Sequence, residues 1–208
     1  MGSEMCIRDS TRAVKRGSGE GADAVNYETI MYEAYGPAGV AILIECLTDN
    51  RNRAVSDVRV AVTRNGGTMA DGGSVQRLFQ RKGVVSVSKT YEVEEGRKTE
   101  TREVDEDQLM EATIDAEPED IVDEGEVFEI ISDPSAVVDV RKAVQGAGID
   151  YDSAEVSFKP DFTQRVELED ARKLYRILDA LEDLDDVQNV FSNVDIPAEV
   201  AAALDEEE

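Results

Sequence analysis

The run Tyr35–Arg53, YGPAGVAILIECLTDNRNR, leaves this chain little freedom in how it can fold. Gly36-Pro37-Ala38-Gly39 is a turn by composition, because proline presets φ and glycine accepts conformations that other residues avoid. Val40–Leu47 follows, apolar except for Glu45; it is too short for a helix and reads as a buried strand. Asn26–Tyr35 alternates loosely as a strand, so the turn joins a hairpin. Thr48, Asp49 and Asn50 supply side chains suited to an N-cap, and the helix from Arg51 to Arg64 carries Val55, Val58 and Val62 on one stripe. A hairpin followed by a helix with one apolar stripe buries that stripe against the sheet, which sets the class as α+β.

The rest of the chain continues the alternation. Asn65-Gly66-Gly67 ends the helix with residues that tolerate positive φ. A short strand, a polar loop through Gly73, a helix at Val75–Arg81 and a strand at Val84–Lys89 complete a first unit. Thr90–Glu106 is charge-rich and reads as a hairpin or linker. Beyond it come a helix (Gln108–Ala116), strands at Asp120–Val122 and Val127–Ile131, a helix (Pro134–Ala147) with Pro134 at its first position, and a strand (Glu155–Lys159). The last long helix, Leu168–Leu184, places Ala171, Leu174, Tyr175, Leu178 and Leu181 on one face. A strand at Asp186–Asp195 and a short helix at Pro197–Leu204 follow. The simplest arrangement is two small α/β sandwich domains: residues 25–89 with 165–204, and an inserted domain at 90–164. Residues 205–208 form an acidic tail. Residues 11–24 read as the end of a helix and a Gly-rich linker, whose GSGEG lacks the preceding strand that a phosphate loop requires. Met1–Ser10 has no periodicity and resembles an adapter-derived scar more than a native start.

Charge is distributed unevenly. The net charge is -25, but residues 1–50 carry -4, residues 51–91 carry +6 and residues 92–208 carry -27. The basic segment holds Arg51, Arg53, Arg59, Arg64, Arg77, Arg81, Lys82 and Lys89 against only Asp57 and Asp71. Two readings stand on charge alone. Either these residues form an anion-binding surface, or they pair with carboxylates from the C-terminal half once the chain folds. Arg53 and Arg64 lie roughly 16 Å apart along the helix axis, a separation that bridges phosphates, while Asp57 is placed to pair with Arg53 at i, i+4. The strong acidity also hints at a saline habitat, where self-repulsion is screened.

Several classes of chemistry are disfavoured. There is no histidine, which removes the commonest general base and metal ligand, and no G-x-S-x-G or Cys/His arrangement occurs. The densest carboxylate group, Glu182, Asp183, Asp185 and Asp186, reads as a solvated face, and Asp120, Asp123, Glu124 and Glu126 lack EF-hand spacing. No cofactor or metal is therefore expected. Cys46 sits in an apolar strand pattern and reads as a buried free thiol, in keeping with a reducing cytoplasm. No apolar run approaches the roughly 20 residues of a membrane span.

The blocks KRGSGE, VNYETIMYEAYGPAGVAILIECLTDNRNR, NGG, GSVQRLFQRKG and LEDLDDVQNVFSNVDIP resemble, in order, those of the YebC/PmpR family of gene-expression regulators. The resemblance runs from about Thr11 to Leu204. It implies a basic, mainly helical first domain followed by two α/β domains; only Thr11–Gly17 resembles the end of that first domain. Family members are described as DNA-binding transcriptional regulators and, in other cases, as ribosome-associated translation factors, including mitochondrial activators of cytochrome oxidase synthesis. The resemblance implies a non-enzymatic regulator whose partner is the ribosome, RNA or DNA. Its expected contacts are Lys15, Arg16, Arg51, Arg53, Arg59, Arg64, Arg77, Arg81 and Lys82, with Tyr35, Gly36, Pro37 and Gly39 as a partner-facing turn. RNA or the ribosome is favoured, because so acidic a chain binds bare duplex weakly. The alternatives are a DNA-binding transcription regulator, an acidic module that binds a basic protein and, last, a carboxylate-dependent hydrolase.

Overall fold

The computed structural model describes residues 26–95 and 98–205. The chain separates into two compact units: the described parts of Met1–Leu78 and Phe162–Glu208 form the first, and Phe79–Asp161 the second.

The first unit begins with the hairpin. Strand β1 (Glu28–Tyr35) pairs antiparallel with β2 (Ala41–Thr48), from Glu28 opposite Thr48 to Tyr35 opposite Ala41. Helix α1 (Arg51–Arg64) returns along the sheet, its N-terminus capped by the Asn50 side chain accepting from the Arg53 N–H at 3.1 Å. Strand β3 (Thr68–Met69) then lies against the end of β1. Gly67 makes this approach possible: a Cβ there would stand 2.8 Å from Val62 Cγ1 and 3.0 Å from the Tyr35 carbonyl oxygen.

The chain re-enters this unit late. Strand β10 (Gln164–Arg165), helix α4 (Leu168–Glu182), strands β11 (Val187–Ser192) and β12 (Val194–Asp195) and helix α5 (Ala198–Asp205) all belong to it. β11 pairs with β2 and completes the order β11-β2-β1-β3, and β10 pairs in parallel with β12. Ala34, Ile42, Ile44 and Cys46 of the sheet share one core with Val58, Ala61 and Val62 of α1 and with Ala171, Leu174, Ile177 and Leu181 of α4. The buried stripe of α1 is Ala54, Val58, Ala61 and Val62, turned from the predicted Val55. Small alanines let the helix sit close to the sheet.

The second unit is built around β4 (Phe79–Ser88), which pairs with β8 (Val127–Ser132) on one side and β9 (Ser153–Pro160) on the other. With β7 (Asp120–Asp123) the order is β7-β8-β4-β9. Helices α2 (Glu106–Thr113) and α3 (Val137–Gly146) cover one face, where Leu109, Val137, Val140 and Val144 meet Val85, Val87, Phe128 and Ile130. A capping box between Asp105 and Gln108 starts α2. Of the two readings of Thr90–Glu106 the structure adopts the hairpin, β5 (Thr90–Glu95) with β6 (Lys98–Glu103).

Three expectations are corrected. Val75–Arg81 is not a helix: a single 3-10 turn at Gln76–Leu78 leads directly into β4. The Val75, Leu78 and Phe79 spacing mimics a helical stripe, but pairing of Phe79–Gly83 with a strand more than seventy residues later overrides it. Consequently the boundary expected after residue 89 falls between Leu78 and Phe79. Pro134 lies in a turn before α3, which starts only at Val137.

Candidate functional site

In the first unit α1 runs from the Thr48 end of the sheet back to the Tyr35 end, so its cations fall into two groups. At its start, Arg51 Nε is 3.2 Å from Glu28 Oε1. Arg53 is held more firmly: Nη2 donates to Asp49 Oδ1 at 2.8 Å and to Asp186 Oδ1 at 2.9 Å, while Nε donates to Asp186 Oδ2 at 3.1 Å. Thr48 Oγ1 also donates to Asp186 at 3.1 Å. Hydrogen bonds from Arg53 pull the Asp186 carboxyl below its usual range despite partial burial, and the same bonds raise the Arg53 guanidinium above its ordinary value. The predicted Asp57 partner is not used. Arg53 ties the start of α1 to the turn after α4, and one of the four clustered carboxylates therefore has a structural role.

Toward the other end the arrangement differs. Arg59 and Arg64 are exposed and make no ion pair among the described residues. Five positions apart, they splay about 140° around the helix and flank its outward face. Arg64 lies at the end of α1, next to Asn65-Gly66-Gly67 and hence to Tyr35, because Gly67 packs against the Tyr35 carbonyl. The turn Gly36–Gly39 belongs to this same end. Gly36 N–H donates to the Val40 carbonyl at 2.8 Å, and a Cβ at Gly36 would meet Leu174 Cδ1 at 3.0 Å, so α4 supports the turn from beneath. Ala38 adopts φ 54° and Gly39 φ 77°. An alanine in the left-handed region costs of the order of 1 kcal/mol, and both residues are exposed.

A groove of about 330 Å³ between α1 and α4 adjoins Arg64. Asp57, Val60, Ala61, Arg64, Asn65, Ala180 and Leu184 line it.

The remaining cations do not form one cluster. Tyr32 and Ala34 face the helices, so Glu33 between them points to the opposite face of the sheet. Glu33 holds the loop that carries Arg77, which places Arg77 away from Arg59 and Arg64. Arg77 Nε donates to the Ser74 carbonyl at 3.2 Å. Arg81 and Lys82 belong to the second unit, where neighbouring strand positions send them to opposite faces of the sheet. Arg81 is exposed, whereas Lys82 Nζ pairs with Glu119 Oε2 at 2.6 Å. Phe79 is buried and therefore a core residue. Lys15 and Arg16 lie outside the described residues.

Cys46 is a buried free thiol whose pKa burial raises to about 11. Among the described residues no group of three or more His, Cys, Asp or Glu is placed to hold a metal ion, and no helix is long and apolar enough to cross a membrane.

The sequence profile of the TACO1/YebC second and third domain matches residues 27–194, which takes in both units. The chain belongs to the TACO1/YebC family. A probable transcriptional regulatory protein of Mycobacterium tuberculosis strain H37Rv is 56% identical over 196 residues, covering 94% of this chain and 73% of that protein. One from Nocardioides sp. is 60% identical over 194 residues, covering 93% and 73%. The crystal structure of a conserved hypothetical protein from Aquifex aeolicus superposes with a TM-score of 0.74 at 35% identity, over 92% of this chain and 74% of that one. The TACO1/YebC match thus covers the hairpin, α1 and the returning α4–β11 segment that carry the geometry above.

Proposed function

We propose that this TACO1/YebC protein is a non-enzymatic regulator of gene expression that engages structured RNA, most directly on the ribosome, through the turn end of its first unit. The observation that carries this reading is the difference between the two groups of α1 cations. Arg51 and Arg53 are paired with carboxylates, whereas Arg59 and Arg64 stand exposed without an ion pair among the described residues, beside a turn held in a costly backbone conformation. Exposed guanidinium groups bind phosphate oxygens bidentately and gain affinity by releasing counterions. The strongly acidic remainder repels bare duplex. A ribosome offers protein surface together with RNA, so it suits a chain with a small basic patch on an acidic body.

A second reading is a DNA-binding transcription regulator, favoured by the names of the relatives. Against it, α1 has no preceding helix in a helix-turn-helix arrangement among the described residues. Co-sedimentation with ribosomes, beside titrations of an RNA hairpin and a DNA duplex across salt concentrations, separates the two readings. The comparison is parent against Arg59→Glu/Arg64→Glu. Loss of ribosome and RNA binding in the variant, with a shallower salt dependence, is the expected outcome. Equal binding by parent and variant to every partner would remove the patch from consideration, and a loss confined to duplex would favour the transcription reading.

A further inference from the structure

We propose that Glu33 is a positioning residue, a buried carboxylate latch that fixes the Asp71–Leu78 segment and so holds Arg77 ready for its partner. Glu33 is only 6% exposed, yet no cation pairs with it among the described residues. Its charge is met by peptide groups instead. Oε1 accepts the Gly73 N–H at 2.5 Å, and Oε2 accepts the N–H groups of Val75 at 2.6 Å and Gln76 at 3.0 Å. The Glu33 backbone carbonyl accepts from Ala70 N–H at 2.8 Å, so both ends of the acid grip the same loop. Burial alone would raise the Glu33 pKa, but these N–H groups outweigh it and the net shift is downward.

The segment needs such a latch. It contains Gly72 and Gly73, the latter at φ +83°, and glycine loses the most conformational freedom on ordering. Successive N–H groups converging on one acid make the kind of concavity that elsewhere binds free anions; here the protein's own carboxylate fills it. Val75 is completely buried, which anchors the middle of the segment. Arg77 then folds back, its Nε donating to the Ser74 carbonyl at 3.2 Å. The carbonyl that orients Arg77 therefore belongs to the stretch that Glu33 fixes, and the other guanidinium donors remain on an exposed residue. This inference rests on the proposed RNA binding and adds to it a contact by Arg77, on the face of the sheet opposite Arg59 and Arg64.

The test compares Glu33→Gln, Gly73→Ala, Arg77→Ala and the Glu33→Gln/Arg77→Ala double variant. The Glu33→Gln change puts an amide, itself a donor, against N–H donors and removes the charge that they solvate. Gly73→Ala strains the loop at its positive φ while leaving the acid intact, and so gives a second route should the first variant fold poorly. One readout, amide hydrogen exchange at position 73, Val75 and Gln76, is independent of any partner; acceleration by about tenfold or more is expected in both loop variants. The other is affinity for a defined RNA hairpin. Arg77→Ala should weaken it roughly three- to tenfold, the loop variants should match that loss, and the double variant should lose no more than Arg77→Ala alone. Unchanged exchange in the loop variants overturns the latch. Faster exchange with parental RNA affinity, while Arg77→Ala binds weakly, overturns positioning but leaves the proposed function standing. Parental affinity in Arg77→Ala removes Arg77 from the contact surface, and the positioning role with it.

Discussion

The two units solve the same problem, covering one face of a four-stranded sheet with two helices, by opposite routes along the chain. The second is contiguous: every strand and helix of its core comes from Phe79–Asp161. In the first, the hairpin and α1 are finished only when α4 and β11 arrive more than a hundred residues later. The candidate surface of the first unit therefore takes its rigidity from the late segment. Leu174 and Ile177 of α4 press against Gly36 and Gly67, and Asp186 grips Arg53. The turn and the basic helix are thus set by residues remote in sequence.

Fragments give the largest test of that comparison. Residues 79–161 expressed alone should fold cooperatively, with thermal unfolding seen by circular dichroism. A chain ending at residue 161 should keep that transition and lose the first unit's, because Ala171, Leu174, Ile177 and Leu181 leave its core. A folded first unit in the shortened chain would break the argument. Next in size are single core truncations. Leu174→Ala and Leu109→Ala each remove a fully buried side chain and should each cost about 2–5 kcal/mol. Amide exchange should accelerate in the first unit for the former and in the second for the latter.

Acid should act unequally as well. Glu33 and Asp186 of the first unit both have folded pKa values below their ordinary 4.5 and 3.8. A carboxyl with a depressed folded pKa stabilises the fold above its unfolded value, and that contribution disappears as pH falls through the folded one. Stability of the first unit should therefore be level above about pH 5 and decline below about pH 4. Glu33→Gln and Asp186→Asn should each lower the plateau and flatten the acid limb in chemical denaturation. Asp123 and Asp133 are also shifted downward in the second unit, through Lys89 and Ser135 respectively. Because both are exposed, solvent screening should make that unit's acid limb the shallower of the two. Equal limbs would contradict the distinction.

How much of this is legible in the sequence follows the same division. The hairpin, the bounds of α1 and its Asn50 cap can be read because turn chemistry, short-range period and capping are local. The family resemblance rests on those same blocks. Phe79–Gly83 misleads because its strand character comes from β8 and β9, and Gly83 in particular is required by a distant contact: a Cβ there would stand 2.6 Å from Ser132 Oγ. The candidate site misleads in the same way. A count of charges makes Arg51–Lys82 one basic island, but alternation along strands and the partners Glu28, Asp186 and Glu119 divide it. Glu33 escapes notice because an acid in a strand pattern looks like an exposed polar position; the nearby Gly72-Gly73, a loop rich in free N–H groups, is the one available signal.

The smallest stability effect carries the sharpest functional contrast. Arg53→Met removes three hydrogen bonds to two carboxylates and leaves Asp186, its side chain only 15% exposed, without its main partner. It should lower the melting temperature of the first unit and weaken RNA binding only as far as α1 loosens. Arg59→Glu/Arg64→Glu alters side chains that make no ion pair among the described residues, so stability should stay within the roughly 0.5 kcal/mol typical of surface changes. Affinity for RNA should nevertheless fall, with the salt dependence shallower by about two counterions. Melting and binding measured on both variants place them at opposite corners if the cations of α1 are divided as the ion pairs indicate. If both variants lose binding in proportion to melting temperature, the patch acts only through the fold, and the contrast between the two ends of α1 has no functional meaning.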